Sequence, residues 1–336
     1  MRHGFLVTAL ILAVIAASLA LQHSYASEPV GTVAMNDVAF PAFPDSDQPS
    51  ADDTPVAPSE TNVNIAVPTA YFGVPHTLGC GLPRTGGDFV EQIEGRSYRV
   101  HVPGGYNAIV PTALVVNFHG YGRTAAAQET YSGLVPLSDR EGFILVTPEG
   151  SGAPQGWDIV GIYAEDGVDD VAFVASLVGR VGDEFCLAPG RVFAIGMSNG
   201  AEMASQLACD LPDTFAAVAA VAGLVYQGCE GGPVAVVAFH GTADQNILYD
   251  WIPAARTGWV SHNGCTGTET TQVSEHVSAQ SAIGCTNGAD VVFYTIDDGG
   301  HTWPGAEDNA GGVGLTTHEI DASELAWKFF ATHARN

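Results

Sequence analysis

Residues 191–208 read Arg-Val-Phe-Ala-Ile-Gly-Met-Ser-Asn-Gly-Ala-Glu-Met-Ala-Ser-Gln-Leu-Ala: an apolar run, a Gly-x-Ser-x-Gly turn and a stretch of helical period. A strand that turns this sharply into a helix needs their backbones to pass almost in contact. Gly196 and Gly200, which have no Cβ, permit that approach. The residue at the apex, Ser198, is forced into a strained conformation with its hydroxyl presented at the edge of a sheet. The first N–H groups of the helix have no intrahelical acceptor, and the positive end of its dipole points the same way, toward an attacked carbonyl. One turn thus fixes a sheet with a helix packed on it and marks Ser198 as a candidate nucleophile. The five-residue pattern alone leaves open an ordinary strand-to-helix turn.

The surrounding sequence repeats the strand-then-helix order. Apolar runs predict strands at Tyr98 to Val102, Ala113 to Phe118, Phe143 to Val146, Val192 to Ile195, Ala216 to Val221, Val234 to Phe239 and Val291 to Ile296. They show little polar alternation, as buried parallel strands do. Helical periodicity predicts helices at Asp169 to Glu184, Asn199 to Cys209, Asp250 to Asn263 and Ala322 to His333. Strand and helix in turn imply an α/β fold with a mostly parallel, doubly wound central sheet flanked by helices. Sites in such sheets gather at the carboxyl ends of the strands.

That rule selects the partners of Ser198. Asp244 follows the run Val234 to Phe239, and His301 follows Val291 to Ile296. A serine hydroxyl is a weak nucleophile at neutral pH, so a base must take its proton during attack, and His301 is the candidate. Asp244 would fix the imidazole tautomer and stabilise the imidazolium. Asp297 and Asp298 are rival acids, but their closeness in sequence to His301 suits capping of the loop. His262 and His318 are rival bases that follow no strand. The turn His119-Gly120-Tyr121-Gly122 offers a second wall of an anion site, so the backbone N–H groups of Tyr121 and Asn199 are the expected oxyanion donors. His119 itself reads as a structural residue. Trp157 and Trp303 are candidate substrate-pocket residues, and Asp169 and Asp170 read as caps of the helix that follows them.

Composition bounds the setting. The apolar run Phe5 to Leu21 after Met1-Arg-His, closed by small residues near Ala26, predicts an export signal over residues 1–26. Residues 27–70, rich in Pro and Asp and without Lys or Arg, read as a flexible acidic leader, and 71–336 as one catalytic domain. The expected location is extracellular or periplasmic, with no membrane span after signal cleavage. A net charge of −26, from 37 acidic and 11 basic residues, opposes nucleic acid and anionic membranes as partners. The six cysteines match no zinc spacing and form an even set, which favours three disulfides. Cys265–Cys285 is the preferred pair, closing a loop worth roughly 3 kcal/mol; Cys209–Cys229 and Cys80–Cys186 complete the set. Neither a metal nor an organic cofactor is expected. The oligomeric state is left open.

Five stretches, Asn117-Phe-His-Gly-Tyr-Gly122, Asp169-Asp-Val-Ala-Phe173, Gly196-Met-Ser-Asn-Gly200, Phe239-His-Gly-Thr-Ala-Asp244 and Gly299-Gly-His-Thr-Trp-Pro-Gly305, together resemble the secreted feruloyl esterase and polyhydroxybutyrate depolymerase family of the α/β-hydrolase superfamily. The resemblance covers the chain from about Gly79 onward. It implies an α/β-hydrolase fold, a Ser198–Asp244–His301 triad in that superfamily's order, and hydrolysis of feruloyl, acetyl or hydroxybutyrate esters through an acyl-enzyme. The partner implied is an ester substrate, polysaccharide-linked or a short polyester. One departure stands out: the family often continues its serine elbow with Gly-Met, whereas Ala201-Glu202 here puts an acid on the first turn of the helix, where it would alter pocket polarity. Acyl transfer, peptide hydrolysis on the same fold and non-catalytic polysaccharide binding are the alternatives.

Overall fold

The computed structural model describes residues 76–159, 168–307 and 312–335. The expected export signal and acidic leader lie outside the described residues. In chain order the elements are β1 (Gly87–Ile93), β2 (Arg96–Val102), β3 (Thr112–Phe118), α1 (Ala125–Ser132), α2 (Leu134–Glu141), β4 (Ile144–Pro148), α3 (Asp170–Glu184), β5 (Leu187–Met197) and α4 (Asn199–Asp210). There follow β6 (Ala217–Val221), β7 (Ala235–Gly241), α5 (Ile252–His262), β8 (Gly267–Gln272), β9 (Val277–Ile283), β10 (Val291–Ile296) and α6 (Ala322–Thr332).

The strands form a single sheet in the order β1-β2-β4-β3-β5-β6-β7-β10-β9-β8. From β4 to β10 the neighbours run parallel. An antiparallel pair closes each edge, β1–β2 on one side and β9–β8 on the other. Seven of these strands match apolar runs in the sequence. The other three, β1, β8 and β9, were not expected, and neither were α1 and α2. The α/β-hydrolase architecture is the one the sequence implied.

Both faces of the sheet are covered, which is why the central strands are apolar throughout rather than alternating. In β3, Leu114, Val116 and Phe118 pack with α3, α4 and Trp259 of α5 in one core. Ala113 and Val115 of the same strand point the other way, into a second core built with α1, α2 and α6. Side-chain caps set several helix starts: Thr124 accepts from Ala127 N, Asp169 from Ala172 N and Asp321 from Glu324 N. Asp170 does not cap. It is buried and pairs with the Arg96 guanidinium, which corrects the reading of both acids as caps. Disulfides join Cys80 to Cys186, Cys209 to Cys229 and Cys265 to Cys285. The last of these ties the start of the β8–β9 hairpin to its end. Among the described residues, no helix is long and apolar enough to cross a membrane.

Candidate active site

The turn between β5 and α4 has the geometry its glycines suggest. Ser198 has φ 55° and ψ −124°, in a region that residues with a Cβ rarely adopt. A Cβ on Gly196 would lie 2.3 Å from Gly200 O, and one on Gly200 would lie 2.2 Å from Phe118 O. Side chains at either position would force the strand and helix apart. The turn is tied to the next strand by a hydrogen bond from Ser198 N to Val221 O at 2.9 Å.

Asp244 and His301 follow β7 and β10, parallel neighbours that end at the same edge of the sheet as β5. His301 Nδ1 donates to Asp244 Oδ2 at 2.8 Å, and both residues are buried. This leaves Nε2 of the neutral ring as the basic nitrogen. Asp244 Oδ1 accepts from Asn246 N at 2.8 Å and Ile247 N at 2.9 Å. Burial works to raise the Asp244 carboxyl, but the His301 hydrogen bond and charge, with the two backbone donors, outweigh it and hold the group below its ordinary range. His240 Nε2 lies 3.4 Å from Asp244 Oδ2 and donates to Ile247 O at 2.9 Å, so it braces the same turn. The rival residues stand apart from this pair. Asp297 and Asp298 are exposed, with the Asp298 N–H donated to Thr242 Oγ1; His318 is exposed, and His262 faces Gly232 O at the surface.

The second wall is built around β3. His119 is fully buried, with Nδ1 donating to Gly120 O at 2.9 Å and Nε2 accepting from Gly150 N at 2.8 Å. Both nitrogens are used, and burial pushes its basicity down, so it is a structural residue. The position a Cβ on Gly120 would take is 3.5 Å from Ser198 Cβ, so the β3 turn lies directly beside the elbow. Asn199 occupies the first position of α4, where its N–H has no intrahelical acceptor. Its side chain does other work: Oδ1 accepts from Trp157 N at 2.7 Å and Nδ2 donates to Trp157 O at 3.1 Å. The Tyr121 ring and the Asn199 amide meet at Gly156, where an added Cβ would lie 2.8 Å from Tyr121 Cδ2 and 3.2 Å from Asn199 Oδ1.

The two expected pocket tryptophans turn inward. Trp157 has no exposed surface; its indole N–H donates to His119 O at 2.8 Å and its ring meets Phe118 edge-on. Trp303 is 1% exposed, with its indole N–H on Ser323 Oγ and its backbone N–H on the Tyr131 hydroxyl. Each indole satisfies its donor by turning into the protein, so packing replaces the recognition role expected of them.

Sequence reasoning missed two supports. Arg96 donates to Glu149 O through Nε and Nη2, pairs with Asp170 and lies over the Phe173 ring. Asp170 Oδ2 in turn accepts from Asp158 N at 2.6 Å, so this pair, with its carboxylate buried, holds the Trp157 loop in place. The other is the turn at Asn246 and Ile247, which an Asp-x-Asn sequence could have signalled as an Asx turn.

With this geometry in place, comparison with known proteins gives a consistent result. A family model described as Esterase PHB depolymerase matches residues 96–246, a span that includes Ser198 and Asp244. A probable feruloyl esterase C of Aspergillus oryzae is 31% identical over 266 residues, covering 76% of this chain and 91% of that protein. Feruloyl esterase C of Emericella nidulans is 30% identical over 262 residues, covering 75% and 90%. Among solved structures, an acetyl xylan esterase from Aspergillus awamori superposes with a TM-score of 0.59 at 16% identity, over 73% of this chain and 99% of that one. An S-formylglutathione hydrolase from Agrobacterium tumefaciens superposes with a TM-score of 0.51 at 16% identity, over 74% and 95%. The structural likenesses establish the α/β-hydrolase fold, and the sequence relatives establish the family: this chain belongs to the feruloyl esterase and polyhydroxybutyrate depolymerase family of carboxylic ester hydrolases.

Proposed function

We propose that this enzyme is a secreted serine esterase in which Ser198 is the nucleophile, His301 the general base and acid, and Asp244 the residue that orients and charges the imidazole. The observation that carries the reading is the buried 2.8 Å hydrogen bond between His301 Nδ1 and Asp244, at the sheet edge where β5 delivers Ser198. Ser198 Oγ attacks the ester carbonyl carbon as His301 Nε2 takes its proton. The resulting oxyanion is held by the N–H groups of Tyr121 and Asn199, a type of contact worth several kcal/mol (about 3–4 for one donor) to the transition state. Collapse of the intermediate breaks the bond to the leaving alcohol, which receives the proton from His301. Water then repeats the sequence on the acyl-enzyme: it gives a proton to His301, adds to the acyl carbon and releases the carboxylic acid, with Ser198 regaining its proton.

The substrates favoured are feruloyl and acetyl esters carried on polysaccharide, ahead of hydroxybutyrate oligomers, because relatives at 30–31% identity over most of the chain are named feruloyl esterases. Export through a signal at residues 1–26 and a leader over 27–70, with the catalytic domain from 71 to 336, accords with three disulfides in one chain. Fluorophosphonate labelling followed by peptide mapping tests the nucleophile: the expected adduct is on Ser198. Ser198→Ala should lose about a million-fold in turnover while keeping the wild-type melting temperature. Methyl ferulate, acetylated xylan and hydroxybutyrate oligomers assayed side by side then rank the substrates. An adduct elsewhere, or an active Ser198→Ala enzyme, would overturn the reading.

A further inference from the structure

The chain has five tryptophans, and four of them are buried with the indole N–H satisfied. Trp157 donates to His119 O, Trp259 to Val225 O, Trp303 to Ser323 Oγ and Trp327 to Glu141 Oε2. Trp251 is the exception. It is 61% exposed, and among the described residues its indole N–H has no acceptor. The turn that carries it imposes this exposure. Tyr249 turns inward, with its hydroxyl 3.0 Å from Thr295 Oγ1 and its ring against those of His240 and Phe293, and Ile252 is buried at the start of α5. Trp251 N donates to Leu248 O at 3.1 Å, closing a single tight turn in which residues three apart lie over one another. With Tyr249 and Ile252 committed to the interior, Leu248 and Trp251 face outward together.

This turn is tied to the catalytic acid. Ile247 N donates to Asp244 Oδ1 at 2.9 Å, and Ile247 O accepts from His240 Nε2 at 2.9 Å. Leu248 is the next residue, so the fixed length of the peptide unit keeps its Cα within about 8 Å of the Asp244 carboxylate. In the sheet order β3-β5-β6-β7-β10, the oxyanion donors assigned above follow β3 and β5, whereas Asp244 and His301 follow β7 and β10. An ester bound for attack turns its carbonyl oxygen toward the first pair and its alcohol oxygen toward His301, which must protonate it. The loop after β7 therefore stands on the alcohol's side of the site.

We propose that Trp251, extended by Leu248, is a specificity-determining contact for the sugar chain that carries the ester, and that this chain is a neutral glycan. The proposal rests on the reading of the site given above, in which the leaving alcohol takes its proton from His301. An indole presents a flat, electron-rich face to the C–H bonds on one side of a sugar ring, and its N–H presents a donor to a sugar oxygen. Both are available at Trp251. Because the turn is pinned at Ile247, Tyr249 and Ile252, a ligand that lands on it loses little free energy to ordering the loop. A net charge of −26 opposes a polyuronate, which leaves an uncharged backbone such as arabinoxylan as the partner.

Acrylamide quenches exposed indoles by collision, so in the full chain it reports Trp251 above the four buried rings. An ester-free arabinoxylan oligosaccharide should protect wild type from most of this quenching, and polygalacturonate should not. Trp251→Ala should lose both the quenching and the protection. Methyl ferulate and a feruloylated arabinoxylan oligosaccharide share an acyl group and differ only in the alcohol. Trp251→Ala should raise KM for the oligosaccharide about tenfold relative to KM for methyl ferulate, the factor that covering one face of an aromatic ring contributes. The change should lie in KM rather than kcat, and Trp251→Phe, which keeps a ring face but not the N–H, should fall between. An unchanged ratio of KM values in Trp251→Ala, no protection of wild type by arabinoxylan, or equal protection by polygalacturonate would overturn the proposal. Ser198→Ala separates the failures: if it stays active on methyl ferulate, the reading of the site has failed, whereas an inactive Ser198→Ala beside an unchanged KM ratio rejects Trp251 alone.

Discussion

Asp244 shows how a single carboxylate can be specified by its surroundings. Both oxygens are committed, one to two backbone N–H groups and the other to His301. Asp244→Asn would keep much of this geometry but present a donor where an acceptor is needed, and a ring turned to the wrong tautomer cannot take the serine proton. The expected loss in kcat at pH 7 is on the order of ten-thousand-fold, smaller than that of Ser198→Ala. Because the asparagine neither stabilises the imidazolium nor fixes the neutral ring, part of the activity should return at high pH. Steady-state kinetics between pH 6 and 10 check this, and a variant within tenfold of wild type would hand the orienting role to another acid. The meeting of Asp244 with His301 at the sheet edge that carries Ser198 was legible in the sequence, because each of the three residues follows an apolar run that reads as a buried strand. The pairing of Asp170 with Arg96 was not, because it depends on how α3 and the start of β2 are brought together.

Elements with a strong physical signature were read correctly, and those without one were not. Parallel strands buried on both faces are apolar end to end, so β3 to β7 and β10 stood out. By contrast, β8 is Gly-Thr-Glu-Thr-Thr-Gln and almost wholly exposed at the sheet's edge, and β9 beside it alternates, so the hairpin they form carries little apolar signal. The two helices α1 and α2 are eight residues each, too short for periodicity to be decisive, and Pro136 in the first turn of the second gives no helical signal of its own. The tryptophans failed for another reason: closeness in sequence to the site does not tell which way a ring points. If Trp157 is a strut between β3 and α4, Trp157→Phe removes the donor to His119 O and leaves a buried carbonyl unpaired, at a cost of roughly 1–3 kcal/mol. Melting should then drop by several degrees. The ratio of kcat/KM for methyl ferulate to that for a short acetyl ester should stay constant, whereas a pocket-lining ring would change that ratio with little effect on melting.

At the scale of the whole molecule the dominant quantity is charge. The chain carries −26, and its 11 basic residues cannot neutralise 37 acids. Arg84, Arg99, Arg140 and Arg180 each pair with a glutamate at or near the surface, and Arg96 is committed to Asp170 inside. Added salt acts on both sides of this balance. It weakens the surface pairs, each worth about 0–1 kcal/mol, but it also screens repulsion among many unpaired carboxylates that the compact state holds closer together than the unfolded chain does. With the unpaired acids far outnumbering the pairs, repulsion outweighs pairing, and screening it should favour folding. The Debye length shrinks from about 10 Å at 0.1 M to about 3 Å at 1 M, so most of the gain should come within that range. The melting temperature at pH 7.5 should therefore rise with sodium chloride from 0.1 to 1 M. It should rise less at pH 5, where carboxylates near their ordinary values begin to take up protons and the repulsion is already partly relieved. A differential scanning series at the two pH values measures this directly. A melting temperature that falls with salt at pH 7.5 would show that the few arginine pairs, and not the acidic excess, govern how this fold responds to its ionic surroundings.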